Sequence, residues 1–160
     1  MAKLKIVTDT DFLHKKSRPV DEITPRMQTL ISDMVETMRD ADGVGLAAPQ
    51  VGVLRRIVVI EVEPGNVLEL INPEIVESSG SQKGPEGCLS VPGKTGIVER
   101  PMYVTIRALD RNGIMREYKG EELLARAMCH ETDHLDGIIY TDIAEKMLTD
   151  DDLEKMYGEE

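Results

Sequence analysis

Two histidines and a glutamate stand close together at the C-terminal end of the chain, in His130-Glu131-Thr132-Asp133-His134. Residues four apart on a helix share a face, so both imidazoles can reach one metal ion. Glu131 lies beside that face, where a carboxylate can take a proton from water polarised by the ion. The chemistry this spacing predicts is metal-assisted hydrolysis. The competing use of such a pair is structural, with two helix histidines capping or pairing with carboxylates.

The third ligand decides what kind of site this is. In the longer HExxHxxGxxH frame it is another histidine, but here the frame runs His130, Glu131, His134, Gly137, Tyr140. His14, the remaining histidine, lies near the N-terminus, and Glu145 and Glu154 follow downstream. Cys88 is the better candidate, in Glu86-Gly-Cys-Leu-Ser-Val-Pro92. A thiolate binds divalent ions strongly, and a preceding glycine permits a tight backbone. An inert, partly buried thiol is the alternative. One thiolate with two neutral imidazoles leaves a charge of about +1 and a fourth position open for water.

A third stretch, Gly43-Val-Gly-Leu-Ala-Ala-Pro-Gln-Val-Gly52, fits GxGxxA, and Glu61 follows at a dinucleotide-like distance. Its context refuses that use. A helical pattern precedes it, and Pro49 and Gly52 interrupt the helix that should follow. A glycine-rich strand instead lets an extended peptide approach and add as a further strand. Gln50 brings an uncharged amide donor suited to an oxyanion.

The elements that must position these residues follow from periodicity. Met27, Leu30, Ile31, Met34, Val35 and Met38 make one helical face, with Thr24 as N-cap, Pro25 in the first turn and Asp42-Gly43 at the end. β-Type runs follow at Arg56–Val62, at Leu68–Ile71 and Glu74–Glu77 around an Asn72-Pro73 turn, and at Tyr103–Leu109. Asp110–Gly113 predicts a hairpin into Ile114–Tyr118. Residues Ser78–Pro85 read as a loop at the rim of a cleft. A second helix spans about Glu121–Leu135, with Leu123, Ala127, His130 and His134 on one stripe and Asp136-Gly137 closing it. Ala144–Glu160 reads as a short acidic helix with a frayed end. The expected class is α+β: mainly antiparallel sheets packed around a C-terminal helix that carries HExxH, with an N-terminal amphipathic helix.

The 160 residues suit one domain, 1–160. A formal charge of −11 argues against nucleic acid and against anionic membrane. No apolar run approaches the ~18 residues of a spanning helix, and the N-terminus has no secretory pattern, so a cytoplasmic protein is expected. Cys88 and Cys129 then read as free thiols or ligands. Cys129 should point off the metal face, since adjacent helical residues do not share one. Asp133 is a candidate to pair with Arg100 or Arg107 and fix the helix.

Taken together, Gly43-Val-Gly-Leu-Ala-Ala-Pro-Gln50, Glu86-Gly-Cys-Leu-Ser90 and His130-Glu-Thr-Asp-His134 resemble the three ordered signatures of peptide deformylases. His14-Lys-Lys-Ser-Arg-Pro-Val20 resembles the family's N-terminal segment. The resemblance implies Cys88, His130 and His134 as metal ligands and Glu131 as general acid/base. It implies Gln50 and the Leu89 N–H as oxyanion donors, and Val44, Gly45, Gly87 and Leu89 as backbone partners of the peptide. The implied reaction removes the N-formyl group from formyl-methionyl nascent chains. The implied metal is Fe²⁺, with Zn²⁺, Ni²⁺ or Co²⁺ able to replace it. An apolar methionine pocket beside the second helix would use Leu123, Ala127 and the stem of Arg126. Cys129 replaces a glutamine common in the family. Some members contact the ribosome through a longer, basic C-terminal helix, which this short acidic tail does not resemble. Two other readings differ in kind: an HExxH protease, which needs chain on both sides of the scissile bond, and a metal- or peptide-binding module, which needs no base.

Overall fold

Asp9 opens a single helical turn, α1 (Thr10–Leu13), in the computed structural model, which describes residues 3–157. Thr24 then caps α2 (Pro25–Asp40): its hydroxyl accepts the Met27 N–H at 3.3 Å, and Pro25 has no N–H to leave unpaired. Next come β1 (Gly45–Ala47), a 3-10 turn over Ala48–Val51, β2 (Ile57–Ile60), β3 (Leu68–Ser79), β4 (Gln82–Cys88), β5 (Val91–Arg100), β6 (Tyr103–Leu109) and β7 (Met115–Glu121). The chain closes with α3 (Leu123–Leu135), α4 (Tyr140–Ile143), β8 (Lys146–Met147) and α5 (Asp150–Tyr157).

Every pairing among these strands is antiparallel, and an isolated parallel bridge joins Arg18 to Arg55. One sheet runs β1-β2-β3-β6-β7 and the other β4-β5-β8. The first is buried on both faces near β2, whose four residues are all buried. Val58 and Ile60 face the cluster that holds Ala125, Met128 and Cys129 of α3. Ile57 and Val59 face Ile31, Met34 and Met38 of α2. Period-2 alternation thus puts one helix on each side of the sheet. Cys129 is spent on that core, and burial pushes its thiol up to about 11.

Two expectations are corrected. Asn72-Pro73 is not a turn but a bulge inside one continuous strand, with the register slipping between Ile71 and Glu74. Asn72 takes φ 52°, which Asn tolerates, and a bulge is where a strand accepts Pro. Its amide locks the bulge by bonding Val20 N–H and C=O at 2.8 and 2.9 Å. The Ser78–Pro85 loop shrinks to Gly80-Ser81 between β3 and β4. Its polar composition reflects exposed strand, not irregular backbone. In the Ala144–Glu160 tail, the short strand β8 precedes the helix α5, and the expected frayed end at 158–160 lies outside the described residues.

Glu61 serves the fold, not a ribose. Arg39 at the end of α2 donates to both its oxygens at 2.8 and 3.0 Å. That hydrogen bond leads, with the Gly65 N–H, in holding the Glu61 carboxyl down to about 2 from 4.5. The stabilisation is complete above the unfolded value and vanishes as pH falls through the folded one. Arg39→Ala should therefore lower Tm at pH 7, with the gap closing between about pH 4.5 and 2. Thermal melts of both proteins across that range check it.

Candidate active site

Helix α3 carries residues 123–135, so His130 and His134 share a face one turn apart. Cys88 reaches the same place from the end of β4, where it pairs with Val91 across a tight hairpin. Its Sγ lies 3.3 Å from His134 Nε2. One donor atom each from Cys88, His130 and His134 fall within 4.8 Å of one another. Tetrahedral bonds of ~2.0–2.3 Å place donors roughly 3.3–3.6 Å apart, so this set is close to the spacing that one divalent ion needs.

The electrostatics agree. Burial works to lower His130, yet the charge of Glu131 and the hydrogen bonds to Cys88 and Glu86 override it and favour positive charge here, which a bound divalent ion would supply in place of a proton on Nε2. Burial, with the neighbouring His130, lowers His134 to about 3, so this imidazole is neutral and ready to ligate. Glu131 is 4% exposed, and its Oε1 has no hydrogen-bond partner among the described residues. Burial pushes its carboxyl up to about 7. Its Oε2 lies 3.9 Å from His130 Nε2.

Glu86 is the residue that sequence reasoning missed as a participant. It accepts from His130 Nδ1, which leaves Nε2 with the free lone pair. Arg100 holds Glu86 with two hydrogen bonds at 3.1 and 2.6 Å and reaches Asp133 at 2.7 Å. Arg126 adds a bond to Glu86 at 2.8 Å and one to the Val98 carbonyl at 3.1 Å. Arg100 is thus the partner of Asp133, while Arg107 pairs with Glu117. The signal available in the sequence was a glutamate two residues before Cys88 and a buried-helix arginine. Neither states a pairing by itself.

The other ligand candidates are elsewhere. His14 pairs with Asp142 at 3.1 Å and Glu145 with Lys83 at 3.1 Å. Glu154 is exposed on α5. Tyr140 is 1% exposed and stacks on His130 with ring centroids 6.1 Å apart.

A cavity of about 470 Å³ opens onto Cys88, His130 and Glu131, while His134 is fully buried and not part of its walls. Its walls include Val44, Gly45, Gly87, Leu89, Leu123 and Ala127. Strands β1 and β4 are edges of their sheets, and both border it. The Val44 carbonyl accepts from Glu61 N–H, and antiparallel alternation then turns the Gly45 N–H and C=O to the open edge. Gln50 is buried beneath: its Oε1 accepts the Ala47 N–H at 3.0 Å. That fixes Nε2 toward Ser90 Oγ at 3.1 Å and Cys88 Sγ at 3.4 Å. Arg126 lines the cavity, with its guanidinium turned to Glu86.

A family profile described as polypeptide deformylase matches residues 3–149. The peptide deformylase of Alkaliphilus metalliredigens is 60% identical over 143 residues, covering 89% of this chain and 97% of that protein. The crystal structure of a peptide deformylase from Legionella pneumophila aligns with TM-score 0.85 at 42% identity, covering 98% of this chain and 90% of that one. That of Thermotoga maritima aligns with TM-score 0.86 at 35% identity, covering 89% and 98%. Matches of this extent, on a fold of antiparallel sheets whose motif residues meet at one cavity, place the chain in the polypeptide deformylase family.

Proposed function

We propose that Cys88, His130 and His134 hold one divalent ion, Fe²⁺ in the cell, and that residues 1–160 act as one cytoplasmic catalytic domain. The chain is a deformylase, a hydrolase acting on N-formyl peptides. The observation that carries the residue roles is the convergence of three donors, beside the buried Glu131, where two of them line a cavity bordered by two strand edges. When bound, the ion acts as a Lewis acid that polarises water and the formyl carbonyl.

The chain's own groups do the rest. Glu131 takes the proton of the attacking water, and burial, which raises its carboxyl above the usual range, suits it to accept and return that proton. The oxyanion formed at the formyl carbon is met by Gln50 Nε2 and the Leu89 N–H, donors typically worth ~3–4 kcal/mol each. Glu131 then protonates the leaving amine, the C–N bond breaks, and formate departs with the peptide's new amino group left behind. Gly45 on β1 and Gly87 on β4 offer backbone to the extended peptide. Leu123, Ala127 and the stem of Arg126 wall the methionine side chain. Such a pocket discriminates by only ~1–3 kcal/mol per methylene, so it tolerates near-isosteres. A transient ribosome contact made through α5 would present Asp150-Asp151-Asp152 and not a basic face.

The test is formate release from a formyl-methionyl tripeptide by anaerobically purified, Fe²⁺-loaded protein. Rapid release that a chelator stops, with no cleavage of the unformylated twin, is expected. No formate at full metal occupancy would overturn the residue roles.

Gly45 provides a sharper check. A Cβ there would sit 2.6 Å from Glu131 Oε2 and 2.9 Å from its Cγ. Gly45→Ala must push the base aside, and displacement of this order costs about 10²-fold in kcat. Metal content should be unchanged, because none of the three donors is touched.

A further inference from the structure

Tyr140 stands where a longer HExxH frame would place its third ligand, and the mechanism above does not use it. Its ring is 1% exposed and stacks on His130 at an interplanar angle of 27°. It shares a hydrophobic cluster with Leu13, Val98 and Ile139, against which Cys88 also packs. His130 therefore leans on Tyr140 itself and Cys88 on the cluster around it, which draws Leu13 from α1, Val98 from β5 and Tyr140 from α4, and not from the elements that carry the donors. The ring is confined from the far side as well. A Cβ at Gly96 would meet Tyr140 Cε1 at 3.2 Å, Ala144 Cβ at 3.1 Å and Met147 Sδ at 2.8 Å. Strand β8, which follows α4, is pinned to β5 at Gly96 and Ile97. The segment from Tyr140 to Met147 thus closes behind the donors, with glycine at its tightest point.

The hydroxyl is a separate matter. Tyr140 OH is buried with no hydrogen-bond partner among the described residues. A phenylalanine would keep the ring contact and remove an unsatisfied polar group. We propose that Tyr140 is a positioning residue for the metal centre, acting through its ring, which fixes the imidazole plane of His130 and the wall beside Cys88. This rests on the metal reading of Cys88, His130 and His134.

The experiment compares wild type, Tyr140→Phe, Tyr140→Leu and Cys88→Ser for Co²⁺ affinity by chelator competition and for the visible Co²⁺ bands. Tyr140→Leu should lose about 10-fold or more in affinity, the range typical when the support of a ligand is removed, and its bands should shift. Tyr140→Phe should keep wild-type affinity and bands and melt higher. Tyr140→Leu within twofold of wild type with unchanged bands overturns the inference, as does equal loss in Tyr140→Phe. If Tyr140→Leu does not fold, Gly96→Ala presses the same ring from its other edge. It should then shift the bands from their wild-type positions, and unchanged bands overturn the proposal. Wild type that binds no Co²⁺, or Cys88→Ser that binds it equally well with the same bands, overturns the metal reading and this inference with it.

Discussion

Glu131→Gln should lower formate release by about 10³-fold while leaving Co²⁺ or Ni²⁺ stoichiometry at the wild-type value. The substitution keeps the side chain's shape, so the cavity and the three donors are undisturbed. What it removes is the capacity to take and return a proton. Glu131 is suited to that task because burial raises its carboxyl above the usual carboxylate range, which makes it a stronger proton acceptor than an exposed one. An amide can neither take nor return the proton. Stability should change little. Removing a carboxylate whose Oε1 is buried without a partner relieves desolvation, and the new amide N–H is left unpaired in its place. The assay is kcat from formate release beside metal analysis of the same sample. Turnover within tenfold of wild type at equal metal content would remove Glu131 from the mechanism. The same pair of measurements also separates an enzyme from a binding module, which has no use for this carboxylate.

How far the sequence reveals this site depends on whether the signal is local. Tyr103–Leu109 alternates and is bounded by the Asp110–Gly113 turn, and β6 has those bounds, because strand pattern and turn chemistry sit in one stretch of chain. Cys88, His130 and His134 stand out for a similar reason: each lies inside a motif whose spacing carries chemistry, and one donor atom from each falls within 4.8 Å of the others. Asn72-Pro73 misleads because the residues that favour turns also favour bulges. Only pairing with β6 on one side and the Val20 backbone on the other decides between them. Ser78–Pro85 misleads because an exposed edge strand and a loop share a composition. Glu86, Tyr140 and the close approach of Gly45 to Glu131 were not legible. Each is a contact between elements distant in sequence, and its meaning depends on a partner that no local pattern names.

Glu86 carries the second large prediction. It is buried among Arg100, Arg126 and His130, so one carboxylate answers three donors. Burial alone would raise its carboxyl, but the His130 and Arg100 hydrogen bonds override that and hold it below the usual carboxylate range. Glu86→Ala leaves Arg100 with Asp133 and Arg126 with the Val98 carbonyl, and leaves His130 Nδ1 without its acceptor. Breaking one partner out of a buried ion pair costs about 3–5 kcal/mol, because the remaining charge stays desolvated. For a chain of this size that is a Tm drop of roughly 10 °C. Metal affinity should fall as well, by about 10–100-fold, because the acceptor that fixes the His130 tautomer is gone. Glu86→Gln separates the two effects. Its amide oxygen still accepts from Nδ1, so most of the affinity returns, while the lost charge keeps Arg100 and Arg126 short of a counter-ion and the Tm low. Thermal melts with and without added metal, beside chelator competition, read both quantities. If Glu86→Ala melts with wild type and binds metal as tightly, Glu86 neither holds the arginines nor orients His130. If Glu86→Gln loses affinity as fully as Glu86→Ala, charge and not the hydrogen bond governs the ligand.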